Sequence, residues 1–565
     1  MKLKPCILSI CLFLMLFGSM QSQSELGSIV EEYEKYEAKQ SELHANSWKV
    51  NTPESVELQI EVYSNWVSRL KKLNVTELEG VDQVNYEMLK LILEDQLFAF
   101  KSKAYQMPLN SEGGFIIGMM YATSGLRLDD DEAVENYVSK LKGVDAYIDS
   151  QINNLRIGQN NGINLPKLVV ENCIKVLDDA MDKDDSAFFL FSPLAKKGYS
   201  DKDLFTNVRS SFLKLHDYLS NDYLRKARAK IGVSENKNGK AYYEQRVRFY
   251  TTLNMTPQEV YDVGISEVKR IKSEMQDIID ALEFEGSFED FLKFLREDPQ
   301  FYPKTPEDLL MHAAWLSKKA EEILPRYFGH LPRLPFTVKP VPEAIAPNYT
   351  TGRYSGGSMK RQKAGEYWVN TYNLPARPLY VLPSLTLHEA VPGHHLQISL
   401  ANELKENLPK FRSHYLSAYG EGWGLYAEYL GKEAGIYTTA YEDFGRLTYE
   451  MWRACRLVVD PGMHYFDWTR EEAVEFMKEN TALSMHEINT EINRYIGWPA
   501  QAVSYKIGEL KIRALRKKAE EELGDDFDIR DFHDLVLSNG SIPLMTLERI
   551  VNNFIVETKK DAKKD

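Results

Sequence analysis

His388-Glu389-Ala390-Val391-Pro392-Gly393-His394-His395 decides how this chain is read. The sequence holds 11 histidines, and three of them fall in these eight positions, with a glutamate directly after the first. Neutral imidazoles are the commonest nitrogen ligands of zinc, and a neighbouring carboxylate can take a proton from an activated water. The familiar arrangement is His-Glu-x-x-His on one helix. Here the position four after His388 is Pro392.

Helix geometry sharpens the reading. Two imidazoles on one zinc place their nitrogens about 3–3.5 Å apart. On a regular helix His395 shares a face with His388 but sits roughly 10 Å along the axis, while His394 points about 120° away. Neither position works without distortion. Pro392-Gly393 supplies one, since proline removes an amide donor and glycine accepts unusual dihedrals. A bulge absorbing two residues would bring His394 into the second ligand's slot, with His395 as the alternate.

The surroundings suit such a helix. Tyr367 to Tyr372 is rich in β-formers, and Leu379 to Leu382 reads as a continuation of extended chain. Pro383-Ser384 offers a stop and an N-cap, and Leu385, Leu387, Leu396, Ile398 and Leu400 supply apolar faces.

A third protein ligand leaves one position open for water. Tyr419 to Leu430 is a second helical run in which Glu421 and Glu428 share a face seven residues apart. Glu421, embedded among glycines and aromatics, is the better third ligand. Glu428 reads as the group orienting an imidazole, and as the alternate ligand.

These motifs resemble a bacterial family catalogued as domain of unknown function 885. Its pattern His-Glu-x-x-Pro-Gly-His-His-x-Gln followed by Glu-Gly-Trp-x-x-Tyr-x-Glu matches His388 to Gln397 and Glu421 to Glu428. Met451 to Ala454, Asp460 to His464, and Arg494-Tyr495 through Ser504 to Gly508 also resemble it. One departure is Pro499-Ala500-Gln501, where the family pattern has Pro-Gly-Gln. The family in turn resembles the large helical zinc peptidases: thimet oligopeptidase, neurolysin, carboxypeptidase Taq and angiotensin-converting enzyme. In those, Gly-His-Ala-Leu ends the zinc helix; Gly393-His394-His395-Leu396 looks like its counterpart, which favours His394. Their third ligand is a glutamate about thirty residues after the first histidine, and Glu421 lies thirty-three after His388. Their carbonyl-polarising tyrosine has a likeness in Ser504-Tyr505.

The resemblance implies a mostly α, two-lobed zinc-peptidase-like fold with a deep cleft and a small β-sheet beside the zinc helix. It also implies Zn2+ as cofactor, short peptides as substrate and Glu389 as general base. Tyr505 is then the oxyanion donor, with Tyr495 and His464 in reserve. Arg494, or failing it Lys506, would hold a substrate carboxylate. Two other readings share this architecture: a secreted peptide-binding protein without turnover, and a non-peptide amidohydrolase. Glu389 favours an enzyme, because a binding module has no use for a base at that position.

Composition bounds the rest. No Pro, Gly or Ser tract or internal repeat divides the 565 residues; only Lys559 to Asp565 is low in complexity. Amphipathic runs at Ile29–Gln40, Val56–Leu73, Val134–Asn153, Pro257–Phe284 and Pro306–Tyr327 predict helices, with the sheet confined to Phe336–Leu382. Asn348 to Gly357 reads as a flexible loop over the cleft. The expected division is a signal peptide over 1–22, an N-terminal helical region over 23–215 and a catalytic region over 216–565. Lys2 and Lys4, the apolar run Ile7 to Phe17, and Gly18 to Ser22 have the anatomy of a secretory signal and are too short for a membrane span. Periplasm or extracellular space follows. Cys6 and Cys11 would leave with that segment, and neither stands where a lipid-modified cysteine would begin a mature chain. Cys173 and Cys455 alone make no disulfide framework. A net charge of −14 argues against nucleic acid as partner. His486-Glu487 lacks a second histidine at Thr490, and no Gly-x-Ser-x-Gly elbow occurs.

Overall fold

The computed structural model describes residues 5–110, 113–123, 126–343, 345–404 and 408–562. Helices make up 70% of it, so packing rests on helix faces, and the described residues hold one sheet, of three strands. Of the expected secretory segment, Met1 to Lys4 lie outside the described residues; from Pro5 the backbone is helical as far as Leu43 (α1, Pro5–Leu43). Residues 563–565 of the charged C-terminal tract also lie outside them. No described helix is long and apolar enough to cross a membrane.

The chain divides into two compact units. One comprises residues up to Tyr242 together with Ile496–Trp498, and the other comprises Tyr243–Tyr495 and Pro499–Asp565. The expected boundary after residue 215 lies within the first of these units. It cuts α5 (Lys202–Asp217), whose Phe212 and Leu215 are wholly buried, and burial on one continuous helix face holds that segment together.

In the first unit, α2 (Pro53–Leu70) starts at a Thr52–Ser55 capping box and buries Val56, Tyr63, Trp66, Val67 and Leu70 along one stripe. The run Val134–Asn153 is two helices, α3 (Asp131–Lys142) and α4 (Val144–Asn160), because Gly143 ends one and opens the next. Phe188, Phe191, Phe205 and Phe212 form an aromatic cluster, with Phe191 stacked on Phe205 at 4.0 Å between ring centres.

The second unit is organised around α11 (Ala440–His464), buried on every side from Phe444 to His464. Such a helix is ordinarily apolar throughout. This one carries a polar seam of Arg446, Glu450, Arg453, Arg456, Asp460 and His464. Two pairs of helices pack by close approach at glycines. On α6 (Pro257–Ala281), a Cβ at Gly264 would lie 2.7 Å from Leu457 Cβ. Between α10 (Ser417–Glu433) and α13 (Ser504–Leu523), a Cβ at Gly422 would lie 2.5 Å from the carbonyl carbon of Gly508. Any larger side chain at these positions would push the helices apart.

The sheet has the order β1 (Phe336–Pro340), β3 (Gly365–Val369), β2 (Gly352–Ser355), with β1 parallel and β2 antiparallel to β3. Two expectations change here. Gly352 to Ser355 is a strand rather than part of a flexible loop, tied to β3 in the register Arg353↔Trp368. Leu379–Val381 is a 3-10 turn rather than extended chain, and it leads straight into α8 (Leu382–Glu389), so that Pro383 occupies the first turn and Val381, not Ser384, is the N-cap.

Candidate metal centre

The break after His388 is larger than a bulge. α8 stops at Glu389, Ala390 leaves the helical region at φ −95° and ψ −112°, and α9 (His394–Leu404) begins four residues on. His395 N–H reaches back to the Ala390 carbonyl at 3.1 Å, and Gln397 N–H to Gly393 at 3.1 Å. The Pro392 carbonyl accepts from Trp423 Nε1 on α10 at 2.8 Å, which fixes the break against the neighbouring helix. This interruption lets two histidines six residues apart meet: their rings cross at 88° with centres 4.6 Å apart.

Glu421 of α10 completes the cluster. Its Oε2 lies 3.4 Å from His388 Nε2 and 3.4 Å from His394 Nε2. His388, His394 and Glu421 are the one group among the described residues whose His, Cys, Asp or Glu ligand atoms converge within 4.8 Å. Glu428 Oε1 accepts from His388 Nδ1 at 2.7 Å. With that proton on Nδ1, the Nε2 lone pair points at Glu421 and His394. Burial opposes a charge on His388, but Glu421, Glu428 and Glu389 outweigh it and push its pKa up to about 9. Burial likewise opposes ionisation of Glu421, yet His394 and His388 hold its carboxyl well below the usual range. The buried, ionised Glu421 needs a positive charge beside it, from a protonated imidazole or from a cation bound to the two neutral rings.

The donor set fits a zinc ion. Two imidazoles and one carboxylate are zinc ligands, and the 3.4 Å spacings match neighbouring corners of a tetrahedron about 2 Å from its centre. The helix opposite leaves room: a Cβ at Gly424 would lie 2.6 Å from His388 Cε1. Tyr415 OH donates to the other oxygen of Glu421 at 3.1 Å, a contact the sequence did not suggest.

Glu389 is buried at the end of α8, and its Oε2 accepts from the Tyr354 backbone N–H of β2 at 2.7 Å. That bond joins the sheet to the histidine pair. His395, the alternate ligand, lies elsewhere. Its Nδ1 is 3.0 Å from Tyr354 OH, its ring packs on Phe336 at 4.6 Å, and burial pushes its pKa down to about 4. Apolar packing against the sheet claims it. Glu428, the other alternate, touches only the far nitrogen of His388 and faces Arg453 Nη2 at 3.6 Å.

The remaining candidates divide sharply. Tyr505 is half-buried near Glu421, with the Arg456 guanidinium 4.3 Å over its ring. Burial first, then the charge of Glu421, raise the Tyr505 pKa, so its hydroxyl stays protonated. Tyr495 is wholly buried: its oxygen accepts from Trp452 Nε1 at 3.0 Å and Arg456 Nε at 2.7 Å, and its one proton goes to Glu491 at 2.7 Å. A hydroxyl so engaged has no donor left for a substrate. His464 is equally buried, with Nε2 3.0 Å from the Tyr495 carbonyl. Arg494 donates to Gln501 at 2.7 Å and Glu491 at 3.0 Å. Lys506 does not reach the site. It is wholly buried, with Nζ 2.7 Å from Glu450, 2.7 Å from Glu509 and 3.2 Å from Glu267. Those three carboxylates overcome burial and raise its pKa.

Ala500, which stands where the family pattern has glycine, has φ +68°, and its N–H donates to Asp460 Oδ1 at 2.9 Å. The left-handed geometry is kept without the residue that suits it, at roughly 1–2 kcal/mol. Arg353 was missed as a functional candidate because its segment reads as loop. Although its side chain is exposed, the crowding around it weighs against its charge; Tyr349, Glu389, Tyr505 and Glu421 outweigh that and raise its pKa.

Solved structures with this fold exist. The crystal structure described as "the putative lipoprotein from Colwellia psychrerythraea" has 25% identity and a TM-score of 0.84 over 96% of this chain and 99% of that one. One described as "a putative lipoprotein of unknown function from Shewanella oneidensis" has 18% identity and a TM-score of 0.71 over 95% and 98%. No curated protein matches the chain. The model of the family described as "Bacterial protein of unknown function (DUF885)" matches residues 34–551, nearly the whole sequence, and the chain belongs to that family.

Proposed function

We propose that this protein is an exported zinc-dependent hydrolase of amide bonds in short peptides, built on the helical zinc-peptidase plan that its motifs resemble. One observation carries the reading: His388 Nε2 and His394 Nε2 each stand 3.4 Å from Glu421 Oε2, with Glu389 adjoining His388 in the chain. A zinc ion held by these three residues would acidify a water and polarise a carbonyl. The export reading rests on the basic, apolar and small-residue segments of Met1 to Ser22, and on the lipoprotein descriptions of the two similar structures.

The chain's own groups then have distinct work. Glu389, anchored at Oε2 by the Tyr354 N–H, keeps its other oxygen for a proton. It takes that proton from the attacking water and delivers it to the leaving amine. Glu428 holds His388 in the tautomer whose Nε2 is a ligand. Tyr505, protonated and close to Glu421, donates to the oxygen on which charge grows as the carbonyl is attacked. Arg494 stays fixed by Glu491 and Gln501 beside it.

The test pairs metal analysis with a peptide digest. The purified protein is expected to hold about one zinc, lose turnover to a chelator and regain it with zinc. Glu389→Gln keeps the shape but not the base, so it should retain metal and lose turnover by about 100- to 10,000-fold. Near-normal turnover in metal-loaded Glu389→Gln overturns the mechanism, and loss of no metal in His388→Ala overturns the ligand set.

A further inference from the structure

We propose that the substrate carries a carboxylate and that Arg353 is the residue that holds it beside Tyr505. The inference rests on the hydrolase reading above and names its substrate class: short peptides with a free C-terminal carboxylate, or with an acidic side chain, beside the bond to be cut.

Arg353 is solvent-exposed on β2, one residue before the Tyr354 N–H that anchors Glu389. Among the described residues its guanidinium makes no hydrogen bond and no ion pair; it rests only against the Tyr349 ring, 6.0 Å from its centre. The groups acting on it include Glu389, Tyr505 and Glu421, which places it at the candidate site rather than on a remote surface. An exposed arginine is usually a solvated surface cation, but one on the strand that anchors Glu389, unpaired with either carboxylate acting on it, has its five donors open to a ligand.

A second observation concerns Arg456, which also meets Tyr505. Arg456 is 2% exposed, and its guanidinium lies 4.3 Å over the Tyr505 ring. Its Nε and Nη2 are used by Tyr495 and Glu491, but Nη1 is buried with no partner. Glu491 pairs with both Arg456 and Arg494. Arg353 and Arg456 thus both act on one phenol, Arg353 with no hydrogen bond or ion pair and Arg456 with a buried Nη1 that has no partner. A planar carboxylate matches the guanidinium fork and binds it in two parallel hydrogen bonds.

Binding to zinc-loaded Glu389→Gln protein tests this apart from turnover. The probes are tetra-alanine as free acid, tetra-alanine amide, and Ala-Ala-Ala-Glu amide, measured by calorimetry. At least one of the two carboxylate peptides should bind about 10- to 100-fold more tightly than the neutral amide. Preference for the free acid assigns the carboxylate to the chain terminus, and preference for the glutamyl amide assigns it to a side chain. Adding Arg353→Gln should abolish the preference with metal content unchanged, and Arg353→Lys should restore part of it. Equal binding of all three peptides, or a preference that survives Arg353→Gln, overturns the proposal. Neither result touches the hydrolase reading, which fails instead if the zinc-loaded wild type cleaves none of the three.

Discussion

Glu428 Oε1 and His388 Nδ1 lie 2.7 Å apart, both almost wholly buried, on two helices that meet at the candidate metal centre. The carboxylate therefore fixes the imidazole's rotation and, in the neutral ring, keeps the proton on Nδ1 and the lone pair on Nε2. Glu428→Ala should lower zinc affinity by about 10- to 100-fold while the fold persists, as read by metal titration against a competing chelator. Unchanged affinity would show that the packing of His388 alone orients the ring.

The two tyrosines of the final segment separate by what their hydroxyls touch. Tyr505→Phe should cut kcat by about 100- to 1,000-fold with KM and zinc content nearly unchanged, because the lost bond forms in the transition state. Tyr495→Phe removes a proton from Glu491 and an acceptor from Trp452 and Arg456, so its cost should appear in thermal stability rather than in kcat. A kcat effect confined to Tyr495→Phe reverses the assignment.

Lys506 is the centre of a buried ionic cluster, so its loss is a stability experiment. Lys506→Met leaves Glu450, Glu509 and Glu267 without the ammonium they share, at about 3–5 kcal/mol. Glu509→Gln in the same chain should recover part of that loss in denaturant unfolding. If stability were untouched and KM rose instead, Lys506 would be a substrate contact after all.

His533 makes the fold sensitive to acid. Its Nδ1–H donates to the Tyr327 carbonyl, its Nε2 accepts from Tyr426 OH, and burial pushes its pKa down to about 3. The folded state thus excludes a proton that the unfolded state binds below its ordinary value of 6.5. Its contribution is complete above that pH and is lost as pH falls toward 3, at about 1.4 kcal/mol per unit within the window. His395, pushed down to about 4, adds in the same direction. Calorimetry between pH 7.5 and 5 should show a shallower decline for His533→Gln than for the wild type; equal slopes would rule the residue out as a source.

The sequence determined the helical class, the sheet's confinement to residues 336–382, and the grouping of His388, His394 and Glu421 as candidates. Each is a local or periodic property: apolar spacing, a proline where a histidine would stand, glycines around one acid. The size of the helix break was not legible, since it depends on Trp423 reaching the Pro392 carbonyl from another helix. Tertiary structure also decided between chemically equal partners. His394 and His395 are neighbours, and only packing turns one toward Glu421 and the other onto Phe336 and Tyr354. Tyr495 and Tyr505, or Lys506 and Arg353, differ in whether their donors are already taken. That depends on residues hundreds of positions away, such as Glu267 for Lys506, because burial leaves a polar group no water and makes its nearest partner its whole environment.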